Sequence, residues 1–126
     1  MTGFVAIALL AASHSGPVGP WRAVLDLAGG ELRFAIEIVN EGDHLSGQLC
    51  NGGDCHPFSG VTLRSDTLLL EMADYAATIT AILHADSLAG AYANVGNRGP
   101  RTIPFRAARG RWPVEPPPAA LTGVLQ

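Results

Sequence analysis

The sequence has little charge, few aromatic residues and no lysine. Charged residues make up 15% and aromatic residues 6% of the 126 residues, and the eight basic side chains are all arginine. A net charge of −3, without basic patches interleaved with aromatics, argues against a nucleic-acid partner. Without lysine, the chain has no ammonium group that could activate a thiol.

The motifs of several enzyme classes are also missing. The sequence contains no phosphate-binding loop, no serine nucleophile elbow, no pair of glutamates on one strand face and no Cys-x-x-Cys. No βαβ unit is predicted, which excludes a Rossmann or thioredoxin fold within this chain. We therefore expect no catalytic residue, no bound cofactor, no metal ligand and no enzymatic activity from this chain alone.

No apolar run is long enough to cross a membrane as a helix. The N-terminal run covers only residues 4–12, whereas a spanning helix needs about 20. Its length, and the small residues Ala11 and Ser13, are typical of a secretory signal. We predict a signal peptide at 1–13, a leader at 14–20 and export to the periplasm or the extracellular space. A buried first strand or helix is the alternative.

The pattern that is present is a period of two. Leu32, Phe34, Ile36 and Ile38 alternate with polar residues, and 15 glycines and 9 prolines supply many turns. This predicts an all-β, antiparallel meander barrel of about eight to nine strands, calycin- or lipocalin-like, over residues 21–111. A turn is expected at 29–30 and a strand over 75–83. Residues 112–126 are predicted to be a proline-rich linker and the start of a further strand.

A short motif, leucine-x-glycine-x-apolar, occurs three times, at 45–49, 88–92 and 121–125. A glycine inside a strand allows a sharp bend or a close approach of another backbone. Repeated at corners, it helps to curl a meander into a barrel.

The two cysteines, Cys50 and Cys55, flank the turn-forming residues 51–54. A tight hairpin would place them opposite each other at bridging distance, which predicts a structural disulfide in an exported protein. A zinc site with His44 and His56, a reactive thiol and two free buried thiols are the alternatives.

Aromatic residues are spread over nearly every predicted strand. Six of them are candidates to line the barrel interior: Trp21, Phe34, Phe58, Tyr75, Tyr92 and Phe105. A buried core is predicted to contain Leu25, Phe34, Ile36, Leu49, Leu70, Ile79, Tyr92 and Phe105. A barrel of about eight strands is either filled by such side chains or holds one small ligand. Gly19-Pro20-Trp21 resembles the Gly-x-Trp opening of lipocalin-type barrels, in which Arg106 or Arg109 would be the partner of the ring.

A second resemblance covers roughly residues 19–112. It rests on the ordered series Gly19-Pro20-Trp21-Arg22-Ala23, Leu32-Arg33-Phe34, Leu45-Ser46-Gly47, Asn51-Gly52-Gly53, Asp74-Tyr75, Ile79-Thr80-Ala81, Leu88-Ala89-Gly90-Ala91-Tyr92 and Ile103-Pro104-Phe105-Arg106-Ala107. The series resembles the N-terminal β-rich domain that precedes a thioredoxin-like domain in exported bacterial redoxins of the thiol–disulfide oxidoreductase class. Related domains also precede α/β-hydrolases. The resemblance implies a non-catalytic accessory domain whose partner is a C-terminal thioredoxin-like domain. The alternative is a stand-alone calycin-like binder of a small apolar ligand.

Overall fold

The computed structural model describes residues 16–96 and 99–113, and every described strand belongs to one antiparallel sheet. The strands are β1 (Gly19–Leu27), β2 (Gly30–Glu41), β3 (His44–Asn51), β4 (Asp54–Pro57), β5 (Gly60–Arg64), β6 (Thr67–Met72), β7 (Ala77–His84), β8 (Ser87–Gly96) and β9 (Gly99–Arg109). The prediction of an all-β antiparallel meander is confirmed. The expected signal peptide at 1–13, residues 114–126 and the motif at 121–125 lie outside the described residues.

Two-residue turns connect most consecutive strands. Gly42, Gly52, Ser65 and Ala85 each begin such a turn with a positive φ of between 55° and 72°. A positive φ at this position matches the twist of the hairpin to that of its strands. The first turn occupies residues 28–29, one position earlier than predicted, because Gly30 already pairs with Leu27.

The sheet curls so that its two end strands come together. The spatial order is β4-β3-β2-β1-β9-β8-β7-β6-β5, and β4 and β5 are consecutive in the chain. Between them, the Phe58 N–H donates to the Gly47 carbonyl of β3 at 2.9 Å, and the Ser59 N–H donates to the Glu71 carbonyl of β6 at 2.7 Å. We call residues 58–59 the seam, because they link the first half of the sheet to the second.

Glycines of the repeated motif lie where backbones approach closely. A Cβ built on Gly90 would lie 1.9 Å from the Thr80 carbonyl oxygen, and one on Gly47 would lie 2.6 Å from the Glu37 carbonyl oxygen. Neither separation is possible for a real side chain. The first two motif glycines therefore permit close backbone approach, which is one of the two roles that the sequence predicted.

The core fills the concave face of the sheet. Its largest fully buried side chains are Trp21, Ile36, Ile38, Leu68, Leu70, Ile79 and Leu88, and no described polar residue is buried. Phe34 and Phe105 meet across the centre, with ring centroids 6.3 Å apart. Of the predicted core residues, Leu49 and Tyr92 are only partly buried and pack against the cluster.

Two residues that the sequence predicted to face inward are exposed to solvent at one end of the sheet. Leu32 is 40% exposed, because the pairing between β2 and β3 stops at Ala35 and leaves the start of β2 without a neighbour on that side. Tyr75 is 55% exposed, because residues 73–75 form a 3₁₀ helix and β7 begins only at Ala77. The αL conformation of Ala76, with φ of 49°, ends that helix.

One end of the sheet is organised around Trp21, and we call it the Trp21 end. The indole Nε1–H donates to the Pro17 carbonyl at 2.8 Å, and the Arg109 guanidinium lies 4.5 Å from the centre of the ring. Arg109 also donates to Asp86 at 2.7 Å and to the Gly16 carbonyl at 2.7 Å. Of the two arginines proposed for this role, Arg109 is therefore the partner of the ring.

Arg106, the other candidate, lies on the outer face and interacts with carboxylates. It is 2.6 Å from Glu31 and 3.4 Å from Asp26. The charge of Asp26, followed by the hydrogen bond to Glu31, raises the pKa of Arg106 above its usual range.

Trp112, which the sequence places in the linker, packs on the outside of the sheet. Its Nε1–H donates to the Phe34 carbonyl at 2.8 Å, and the Arg33 guanidinium lies 5.0 Å from its ring centre. The bond satisfies a carbonyl on the part of β2 that has no β3 neighbour.

Candidate functional site

An apolar cavity of about 310 Å³ opens at the end of the sheet opposite Trp21. This open end is surrounded by the turns at 28–29 and 52–53 and by the 3₁₀ helix at 73–75. We call the cavity the open-end cavity. Its lining residues are Leu25, Leu32, Phe34, Leu49, Asn51, Asp54, His56, Met72, Tyr75, Ile79 and Tyr92.

The floor of the open-end cavity is the top of the hydrophobic core. Leu25, Phe34, Met72 and Ile79 are buried and come from β1, β2, β6 and β7. Each occupies an inward position of the two-residue period, so the alternation that builds the core also makes the floor apolar. A ligand on this floor would cover apolar surface, a gain of about 25 cal/mol per Å².

The polar groups of the open-end cavity are concentrated at its rim, on and beside the β3–β4 hairpin. Asn51 and Asp54 lie on either side of its turn, and His56 follows on β4. His56 Nε2 lies 3.2 Å from an Asp54 carboxylate oxygen. The imidazole also meets the Tyr75 ring edge to face, with centroids 6.1 Å apart.

Tyr92 brings a hydroxyl to the opposite wall. The Asn94 amide N–H donates to the Tyr92 hydroxyl at 3.3 Å, so the Tyr92 O–H proton remains available to another acceptor. The Asn94 side-chain carbonyl oxygen is buried and has no hydrogen-bond partner in the described structure.

The Cys50–Cys55 disulfide lies beside the rim of the open-end cavity. The two residues are directly paired across the β3–β4 hairpin, and the structure joins them as a disulfide. Cys55 is exposed while the adjacent His56 lines the cavity, in keeping with opposite faces for neighbouring strand residues. The cross-link ties together the strands that carry Asn51, Asp54 and His56.

The alternative zinc site is not assembled in the structure. His44 lies at the β2–β3 turn, where it contacts Glu41 and Asp43. Cys50 lies six positions further along β3, which is about 20 Å along an extended strand. The described residues contain no group of three or more potential ligands able to hold a metal ion.

Of the six aromatic candidates, three meet at the open-end cavity: Phe34 in its floor, and Tyr75 and Tyr92 in its wall and rim. Trp21 plugs the other end, Phe105 packs on Phe34 and Phe58 lies at the seam. The sequence offered His56 as an alternative zinc ligand but did not single out Asn51 or Asp54. Their positions beside the cysteines were the available signal, because a tight hairpin with a disulfide was predicted there.

Two further clefts lie on the outer surface beside Trp112, with volumes of about 540 and 410 Å³. Their walls include Arg22, Arg33, Arg106 and Arg111. They are larger than the open-end cavity, but both are formed where the Trp112 indole packs on the outer face of the sheet. The open-end cavity, by contrast, has a floor of buried apolar side chains, which is the usual character of a ligand site.

No helix in the described part of the chain has the length and apolar character needed to cross a membrane. Comparison with known proteins returned no matching family model, no matching curated protein and no matching solved structure.

Proposed function

We propose that this protein binds a small, predominantly apolar ligand in the open-end cavity. The observation that carries the proposal is the apolar floor of this cavity, whose volume is about 310 Å³. The floor consists of the buried residues Leu25, Phe34, Met72 and Ile79. Ligand pockets typically measure about 300–1,000 Å³ and combine an apolar lining with a few placed polar groups. The rim of Asn51, Asp54 and His56 supplies such groups.

The asymmetry between the two ends supports the same proposal. At the Trp21 end, an indole and a guanidinium fill the space inside the sheet. At the open end, Leu32 and Tyr75 remain exposed beside the cavity. Exposed apolar side chains around a concave site favour binding over simple packing.

The test uses an uncharged dye, N-phenyl-naphthylamine, whose fluorescence rises in apolar surroundings. The full chain is expected to bind one dye molecule. Leu49→Trp, which places a larger side chain in the cavity wall, should abolish the fluorescence increase. Ile82→Trp, on the exposed face of β7, should leave it unchanged. Circular dichroism verifies that both variants keep the sheet. No binding, or equal binding by Leu49→Trp, would refute the proposal.

Export and an accessory role beside a thioredoxin-like domain remain predictions from the sequence. The Cys50–Cys55 disulfide supports export, since such bonds persist in oxidising compartments. A mature N-terminus after residue 13, measured by mass on secreted protein, tests the signal peptide. A longer reading frame that contains Cys-x-x-Cys tests the redoxin partner.

We also expect no disulfide reductase activity from this chain. Cys50 and Cys55 lie on a hairpin, where no helix N-terminus lowers a thiol pKa. Insulin reduction is assayed beside the Cys50→Ser/Cys55→Ser double variant. Activity that disappears in the variant would show that the non-catalytic prediction is wrong.

A further inference from the structure

The open-end cavity has one formal charge in its lining when the imidazole of His56 is neutral. Of the eleven described residues that line it, only Asp54 is acidic and none is a lysine or an arginine. The remaining polar groups are the side chains of Asn51, His56, Tyr75 and Tyr92. The field at the opening is therefore negative on the β3–β4 side.

The described arginines of the strands nearest to this end do not line the cavity. Arg33 lies over Trp112 on the outer face, and Arg106 is held by Asp26 and Glu31. Arg101 shares the inward register of Ile103 on β9 but is exposed and does not line the cavity. No described arginine offers its guanidinium to a ligand on the cavity floor.

Asp54 retains acceptor capacity. One carboxylate oxygen contacts His56 Nε2 at 3.2 Å, while the other makes no hydrogen bond or ion pair within the described residues. An ionised carboxylate only accepts hydrogen bonds. A ligand group beside it must donate, which an ammonium or a hydroxyl does and a carboxylate does not.

Aromatic rings line the same cavity, and one of them lies close to Asp54. The Tyr75 ring meets the His56 imidazole edge to face beside Asp54, and Phe34 and Tyr92 complete the aromatic part of the lining. A cation close to an aromatic face is stabilised by the ring quadrupole. The carboxylate and the rings therefore favour the same sign of charge.

On the basis of the proposed function, we infer that the ligand of the open-end cavity is an apolar amine, with its body on the cavity floor and its ammonium group at Asp54. Asp54 is then a selectivity residue that disfavours carboxylates such as fatty acids. Because its side chain is 78% exposed, the discrimination is modest. We expect the affinity for an amine to exceed that for a matching carboxylate by about threefold to tenfold at low ionic strength. This range combines the attraction of an exposed opposite charge with the repulsion of an exposed like charge.

The experiment compares three probes with one apolar body: phenylbutylamine, phenylbutanol and phenylbutyrate, each displacing N-phenyl-naphthylamine from the full chain. At about pH 8 an alkylamine is protonated and an alkyl carboxylic acid is ionised. The amine should bind most tightly, then the alcohol, then the carboxylate. Asp54→Asn should reduce the amine-to-carboxylate ratio to near one and change alcohol binding less than amine binding, because the amide oxygen of asparagine still accepts a hydrogen bond.

The matched control is Asp43→Asn, which removes a fully exposed carboxylate at the other end of the sheet. This variant should keep the amine-to-carboxylate ratio of the wild type. Equal binding of the three probes would overturn the inference and leave the proposed function intact. If the carboxylate bound most tightly and Arg101→Gln abolished this preference, the inference would be overturned, and the ligand would be an anion. Failure of all three probes and of the dye would instead reject the proposed function.

Discussion

Replacement of Gly90 by alanine should be the most damaging methyl addition among the glycines of the motif. The new Cβ would lie 1.9 Å from the Thr80 carbonyl oxygen and 2.7 Å from the Ala81 Cα. Real Cβ contacts essentially never fall below 3.0 Å, so β7 and β8 would have to separate by more than an ångström. Ala81 is buried, which leaves it little room to retreat.

The cost follows from the ladder that must open. A shift of that size breaks about two backbone hydrogen bonds at about 1 kcal/mol each and disturbs close packing by a further 1–3 kcal/mol. The lower chain entropy of alanine in the unfolded state returns about 0.4–1 kcal/mol. We expect a net loss of about 2–4 kcal/mol, which lowers the Tm by about 10–20 °C in a domain of this size.

Urea and thermal unfolding of a graded series provide the assay. Gly47→Ala, whose Cβ would lie 2.6 Å from the Glu37 carbonyl oxygen, should be intermediate. Gly53→Ala is the control, because nothing lies within 4 Å of the position that its methyl group would occupy and its φ is not in the left-handed range. A Gly90→Ala variant as stable as Gly53→Ala, or more stable than Gly47→Ala, would refute the close-approach argument.

Three further changes test other parts of the fold. Arg109→Leu should cost about 2–4 kcal/mol in urea unfolding, because it leaves the Gly16 and Val18 carbonyls and Asp86 without their donor. Arg64→Leu, at an exposed position of β5, should change the stability little. The Cys50→Ala/Cys55→Ala variant should lose about 2 kcal/mol, the loop-entropy value for so short a loop, and alkylation of denatured, unreduced wild type should label no thiol. Ala85→Gly should gain about 0.5–1 kcal/mol by relieving a φ of 55°; a lower unfolding midpoint would contradict this.

The sequence was most informative where one periodicity dominates. Leu68, Leu70 and Met72 on β6 and Ile103, Phe105 and Ala107 on β9 alternate cleanly and are all buried. The period of two decides which face enters the core, and therefore predicts the sheet and most of its interior.

The burial of a residue could not be predicted from the sequence where a strand has no neighbour on one side or where a 3₁₀ helix replaces the strand. Leu32 follows the period but has no β3 residue beside it, and Tyr75 lies in a 3₁₀ turn that the alternation does not reveal. Both residues line the open-end cavity. Binding surfaces form where regular pairing stops, and local patterns carry little information about such places.

The polar rim could not be derived from residue types alone. Asp54 and His56 are common hairpin residues, and only the register of β4 against β3 brings His56 to the cavity while Cys55 faces out. That register depends on the turn at 52–53. A slip of one residue would turn His56 out and Cys55 in. For the partner of Trp21, in contrast, the lipocalin resemblance offered Arg106 or Arg109, and the structure has Arg109 in that position.

The pairing of β1 with β9 has a consequence for the order of folding. Every other strand pair joins neighbours in the chain, so each forms by closing a short loop. The bond from Arg22 to the Arg109 carbonyl spans 87 residues. Closing that loop costs about 2 kcal/mol more than closing a hairpin of about eight residues. During synthesis, β1 cannot pair with β9 until β9 has left the ribosome, and until then Arg109 does not cover the Trp21 ring. Early release or slow translation should therefore expose the edge of β1 to intermolecular pairing.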